Sequence, residues 1–424
     1  MFKIVKKDKL GAELKNLQEK SALRIDAPEE KKVKEIIKNV QAKGDRALLE
    51  YSKKLDGVAL EVDELRVTAQ EIEAAYQRVS SSFLSALKVA IRNIGAYHER
   101  QKLSAVKLQT QSKYLGLRSL AIEKIGVYVP GGRAAYPSSV LMNVIPAQIA
   151  GCSKIVIVSP PTVSSFVLVA AAELGIKEIY RIGGAQAIAA LAYGTATIPK
   201  VDKVVGPGNI YVMLAKKILY GIIGIDSLAG PSDILIIGDG SSNPQFIAAD
   251  LISQAEHDPK AQSILVCTSS DLAEKVDAAA EEMLDQFERK SIIVKSIKEN
   301  GRIFCVDNLE AAAAVANQIA PEHLEIMVTE PQQILDKIVN AGAVFIGPYS
   351  PVPLGDYIAG SNHTLPTAGG SRFSSPLTVY DFIKHQSIIG YSKEALEEEK
   401  DALITLAEAE GLDAHARSVE IRFK

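Results

Sequence analysis

The run Lys154-Ile155-Val156-Ile157-Val158-Ser159 is short, apolar and β-branched. It is followed by Ser164–Leu174, which is Ala-rich, by Glu178-Ile179-Tyr180-Arg181-Ile182, and by Gly183-Gly184-Ala185-Gln186, which opens a second Ala-rich stretch ending at Ala192. Strand, helix, strand and helix in such quick succession imply a parallel sheet with crossover helices. The same alternation extends outward. Further strands are expected at Ile125–Val129, Lys203–Val205, Ile234–Ile237, Ser263–Cys267, Ile303–Val306, Leu324–Val328 and Ala343–Ile346, with helices at Ile210–Leu219, Pro244–Glu256 and Leu272–Leu284. These are too many strands for one compact half. A break near Gly230-Pro231-Ser232 divides them into two doubly wound α/β units, residues 123–231 and 232–376.

The flanks read differently. Residues 1–122 read as helical. Asp26-Ala27-Pro28-Glu29 offers a cap, a first-turn proline and an acid, and Thr68-Ala69-Gln70-Glu71 is a capping box. The box is expected to open one long helix with Ile72, Ala75, Val79, Leu84, Leu87, Ile91 and Ile94 on its apolar stripe. Gly, Pro, Ser, Thr and Asn dominate Gly347 to Pro376, and a long irregular segment of that kind is often functional. Residues 377–424 form a tail with an acidic helix after Ser392. Its histidine, His415, implies docking, for which a second subunit is one surface.

A chain of 424 residues exceeds one ordinary core. Its 47% hydrophobic and 23% charged content is that of a globular protein, and a net charge of −3 gives no electrostatic case for nucleic acid. Cys152, Cys267 and Cys305 are far apart and odd in number, which argues against a disulfide framework or a cysteine metal site. No signal-peptide core and no run of ~18 apolar residues is present, so no membrane role is expected and the cytoplasm is the default compartment.

Histidine is scarce, at six residues. Four lie in polar clusters: His257 after Gln254, His323 after Glu322, His363 after Asp356, and His415 after Glu410 and Asp413. His98 and His385 lack such a setting. Histidine binds metals and moves protons near neutral pH, so the clusters suggest one metal site and one acid–base site built from distant segments. Gln254 and His257 share a helix face, but taken alone a polar helix end is the plainer reading of them. Asp356 and His363 sit where loop backbone lets side chains converge. Glu322 and His323 stand at a helix-to-strand junction, where an imidazole suits proton abstraction and a carboxylate suits water activation; a capping Glu and a half-buried His are the plainer alternative. Tyr128-Val129-Pro130-Gly131-Gly132-Arg133, Gly183-Gly184-Ala185-Gln186 and Gly206-Pro207-Gly208-Asn209 each pass from strand to helix. Ligands bind there in open α/β sheets. Neither GxGxxG nor a P-loop is present, so tight turns remain an equal reading.

These stretches resemble the histidinol dehydrogenase family, together with Pro137-Ser138-Ser139-Val140-Leu141-Met142, Ala229-Gly230-Pro231-Ser232, Ser253 through His257, Ala320 through Glu325, Gly355 through His363 and Glu410 through His415. They occur in the family's order and span nearly the whole chain. The resemblance implies two incomplete Rossmann-like units without the usual glycine fingerprint. It implies oxidation of L-histidinol to L-histidine in two NAD-dependent hydride transfers through L-histidinaldehyde, the last steps of histidine biosynthesis. It further implies one zinc per subunit on Gln254, His257, Asp356 and His415, with the tail crossing a homodimer to bring His415 from the other subunit. By the same resemblance His323 is the base and Glu322 activates water. Ser232, His363 and Glu410, with Gln254, His257, His323, Asp356 and His415, contact substrate, and Tyr128, Gln186 and Asn209 contact NAD. Small departures from the family pattern occur at Ser361, at Ser227-Leu228, and at Asp233, where Glu is more usual. Rival readings are a dehydrogenase of the same fold acting on another alcohol, a zinc hydrolase using Glu322, and a zinc-stapled dimer without catalysis.

Overall fold

Strand–helix alternation builds two parallel sheets. The computed structural model describes residues 1–21, 27–102, 106–131, 135–228 and 230–424. The expected cap Asp26 lies outside the described residues, as do Gly132, Arg133 and Ala229 of the quoted stretches. The first sheet has five strands in the order Ile179–Arg181, Lys154–Ser159, Lys124–Tyr128, Lys203–Val205 and Gly224–Ile225. The second has six, in the order Lys3–Val5, Arg302–Cys305, Gln262–Cys267, Asp233–Gly238, His323–Met327 and Ala343–Ile346. Every pairing in both is parallel.

A parallel sheet covered by helices on both faces makes its central strands uniformly apolar. Gln262–Cys267 and Asp233–Gly238 accordingly are buried at every position. Each sheet separates two apolar clusters. Val156, Val158 and Val204 lie with the helices Ala27–Lys43 and Gly184–Tyr193 on one side of the first sheet, and Ile125, Val127 and Ile157 with Ser81–Glu99 and Pro137–Ala150 on the other. In the second sheet Ile234, Leu265 and Met327 face the helix Pro244–Ala255, and Leu235, Val266, Leu324 and Ile326 face Leu309–Ile319.

The structure departs from the sequence reading in four places. The single helix expected after Thr68 is two, Ala69–Tyr76 and Ser81–Glu99. The Thr68–Glu71 capping box forms, but Ser80 accepts the Phe83 N–H and starts a new helix; serine competes for backbone hydrogen bonds in this way. The flanks are not wholly helical. Lys3–Val5 completes the second sheet, and Val106–Gln109, Lys113–Ala121 and Ile383–Tyr391 form an antiparallel three-stranded sheet that joins the tail to the end of the N-terminal region. Finally, Asp356 is not on loop backbone but on the six-residue helix Val352–Tyr357. No described helix is long and apolar enough to cross a membrane.

Candidate active site

A cleft of about 1200 Å³ runs between the two sheets. Gly206 through Asn209 border it directly after the strand Lys203–Val205, at the carboxyl end of the first sheet, as the open-sheet rule anticipates. The second sheet meets it from the opposite end. Asp233 and His323 are the first residues of their strands, and Ser232 and Glu322 immediately precede them. Gln254 and His257 enter from the C-terminal end of the helix Pro244–Ala255, Asp356 from the helix Val352–Tyr357, and His363 from the loop that follows it.

The centre is a set of hydrogen bonds across adjacent strand starts. The Glu322 N–H donates to Asp233 Oδ1 at 2.7 Å, and the Asp233 N–H donates back to Glu322 Oε2 at 3.2 Å. His323 Nδ1 lies 3.0 Å from the Asp233 carbonyl oxygen. A carbonyl only accepts, so Nδ1 carries the hydrogen and the neutral ring keeps its lone pair on Nε2. His323 and Glu322 are each 6% exposed. Burial pushes the Glu322 carboxyl up to about 8, opposed by the Asp233 N–H and the Ser232 hydroxyl, with the Asp356 charge adding to the rise. Burial and the Glu322 charge push Asp233 up to about 7. Backbone is forced close here. A Cβ on Gly342 would stand 2.6 Å from the Glu322 carbonyl oxygen, and Ala320 adopts φ +57° at the turn into this segment. A left-handed alanine is strained.

Asp356 faces two imidazoles. Burial lowers the pKa of both His257 and His363, and the Asp356 carboxylate opposes the shift in each. The His363 ring also hydrogen-bonds the Asp356 main chain. The amide nitrogen of Gln254 is buried without a hydrogen-bond partner among the described residues. A half-turn of that amide exchanges its two ends, so an oxygen in the same place is free to ligate. Imidazole, carboxylate and amide oxygen together suit a borderline dication such as zinc. Among the described residues no group of three His, Cys, Asp or Glu could hold a metal. Of those residue types in the expected ligand set, His257 and Asp356 border the cleft.

Glu410 and His415 do not border this cleft; both are exposed on the tail. Tyr128 and Gln186 lie in the interior of the first unit. The Tyr128 hydroxyl accepts the Gly184 N–H at 3.1 Å, and Gln186 Oε1 is buried with no partner among the described residues. Asn209 borders the cleft but also caps the helix Ile210–Leu219, accepting from the N–H groups of Tyr211 and Val212. His98, which had no assignment, is fully buried. Its Nδ1 donates to the Ile94 carbonyl at 2.9 Å, and its Nε2 lies 3.4 Å from Asn362 Nδ2, which donates to the Met142 carbonyl at 2.6 Å. It thereby fastens the residue next to His363. His385 sits on the antiparallel sheet beside Ser119 Oγ, away from the cleft.

The sequence reading missed Asp233, noting it only as a departure, and missed the buried Lys216–Asp226 ion pair in the wall of the cleft. The chance to find Asp233 was its position beside Ser232; nothing local marked Lys216.

The family model for histidinol dehydrogenase matches residues 19–423. The chain is 53% identical to a histidinol dehydrogenase of Caldanaerobacter subterraneus over 93% of its length and 92% of that protein's. It is 50% identical to one of Bacillus cereus, covering 97% and 96% of the two chains. The chain belongs to the histidinol dehydrogenase family. Among solved structures, histidinol dehydrogenase from Elizabethkingia anophelis superposes with a TM-score of 0.94 at 37% identity, covering all of this chain and 98% of that one. Membership in this family makes the chain a dehydrogenase and accounts for an α/β fold of two parallel sheets.

Proposed function

We propose that the protein oxidises L-histidinol to L-histidine in two hydride transfers to NAD, by way of L-histidinaldehyde, in histidine biosynthesis. The observation that carries the chemistry is the locked tautomer of His323, a free Nε2 base beside a protonatable Glu322 in one cleft. Gln254, His257 and Asp356, with the partner subunit's His415, would hold one zinc in a homodimer. When bound, zinc supplies a Lewis acid that anchors nitrogen donors of the substrate, and NAD supplies the hydride acceptor.

His323 Nε2 takes the hydroxyl proton as the carbinol carbon gives up hydride, leaving the aldehyde. Glu322, as carboxylate, takes a proton from water while the water oxygen bonds to the aldehyde carbon, and the former carbonyl oxygen takes back the proton that His323 Nε2 holds. The resulting hydrate loses a second hydride as a base takes one of its hydroxyl protons, and the carboxylic acid forms. Ser232 and His363, with the partner subunit's Glu410, contact the substrate; a carboxylate suits its cationic amine. Tyr128, Gln186 and Asn209 contact NAD at the carboxyl end of the first sheet.

Purified protein with L-histidinol and NAD decides the matter. Two NADH per histidinol, abolished by a chelator and restored by zinc, is the expected result. NADH with a different alcohol and none with histidinol selects another substrate of the same fold, and no NADH with any alcohol refutes the dehydrogenase reading.

A further inference from the structure

Three elements meet behind the site: the helix Pro244–Ala255 with Gln254, the strand His323–Met327, and the helix Val352–Tyr357 with Asp356. Alternate strand residues share a face. Glu325 therefore lies on the side of Met327, which packs with Leu251, Ile252 and Ala255 of the first helix. Glu325 is buried, and its Oε1 accepts the Val352 N–H at 3.0 Å. That N–H belongs to the first turn of its helix, where no intrahelical acceptor exists. Glu325 also hydrogen-bonds the carboxyl group of Asp250, one helical turn before Gln254. Neither residue borders the cleft.

Two carboxylates have no hydrogen to share, and Glu325 Oε2 is buried with no donor among the described residues. The hydrogen of this bond is carried by the pair itself. Burial supports this, since it raises the pKa of both carboxyl groups and favours a protonated pair. We infer that the Asp250–Glu325 carboxyl pair is a positioning clamp, fixing the helix of Gln254 and the helix of Asp356 against the strand of His323. The inference rests on the reading of Gln254 and Asp356 as metal ligands. An apolar contact would hold the three elements together as firmly. A hydrogen-bonded one also sets the rotation of each, which directional ligands require.

The test uses the full chain as wild type, Glu325→Ala, Glu325→Gln and Asp250→Ala, with two readouts: hydrogen exchange at the Val352 amide, and zinc affinity by chelator competition. Glu325→Gln keeps an acceptor for Val352 and brings its own donor for Asp250. Glu325→Ala is expected to speed Val352 exchange and weaken zinc about 10–100-fold, the usual effect of losing a partner behind a ligand. Glu325→Gln should match wild type in both. Should Glu325→Ala fail to fold, Asp250→Ala stands in for it; Val352 stays capped there, so only zinc affinity should fall. The clamp is overturned by a Glu325→Gln as impaired as Glu325→Ala, or by wild-type exchange and zinc affinity in both alanine variants. Zinc bound no more tightly by wild type than by His257→Ala overturns the metal reading instead, and Val352 exchange then decides the clamp alone.

Discussion

Lys216 and Asp226 form an ion pair at 2.7 Å with both side chains 4% exposed. Asp226 also accepts the Gly206 N–H at 2.7 Å, and Lys216 donates to the Gly206 carbonyl. Both polar groups of Gly206 are thus clamped where its φ is +109° and where a Cβ would lie 2.2 Å from the Tyr128 carbonyl oxygen. Lys216→Met keeps the aliphatic stem and leaves Asp226 buried without its cation. Breaking a buried pair in this way costs about 3–5 kcal/mol. The deficit is therefore set at about 4 kcal/mol. Urea unfolding of wild type, Lys216→Met, Asp226→Leu and the double variant measures it. The double variant should recover only part of the stability, since the buried N–H and carbonyl of Gly206 lose their partners, and it should bind NAD weakly, because Gly206 is no longer held. A deficit below about 1 kcal/mol refutes the reasoning.

Three further outcomes are expected. His323→Ala should cut turnover at unchanged zinc content and His257→Ala should deplete zinc, both read by kinetics and metal analysis; metal loss from His323→Ala reverses the assigned roles. Glu322 must be ionised to activate water, so oxidation of the aldehyde should gain rate as pH rises, with a limb no higher than about 8, since a bound dication would only lower it. Glu322→Gln should lack that limb, and its persistence there would assign it to another group. Mixing inactive His323→Ala with inactive His415→Ala and allowing subunits to exchange should restore activity, since one site of each mixed dimer then has every residue intact. At full exchange half the dimers are mixed, and recovery approaches about a quarter of wild type; no recovery argues that each chain builds its own site.

The central strands were legible because burial on both faces leaves an unbroken apolar run, as in Asp233–Gly238. The antiparallel strands were not. Ile383–Tyr391 and Lys113–Ala121 are exposed or half-buried along their whole length, so nothing forces the alternation that marks a half-buried strand. Val352–Tyr357 is too short to show helical periodicity and begins among prolines, so it read as loop. Within the site, adjacency decided what could be seen. Glu322 and His323 are neighbours and announced themselves as a pair. Asp233 acts on them across 89 and 90 positions, and Glu325 reaches Val352 across 27. Such partners become visible only when strand order is known.

The opposed orientation of the two sheets gives the cleft two electrostatic ends. Helices following the first sheet present their N-termini to it, as Asn209 does for Ile210–Leu219, and the partial positive charge there suits an anionic dinucleotide. Helices preceding strands of the second sheet present their C-termini. Pro244–Ala255 ends at Gln254 and His257, and Leu309–Ile319 ends just before Glu322. The partial negative charge at such ends favours cations, and Asp356 adds a carboxylate. A dication and a protonated amine are therefore both favoured at the end that holds His323, the proposed base, and phosphates at the other. A second sheet turned the usual way would aim helix N-termini at the metal and the amine alike.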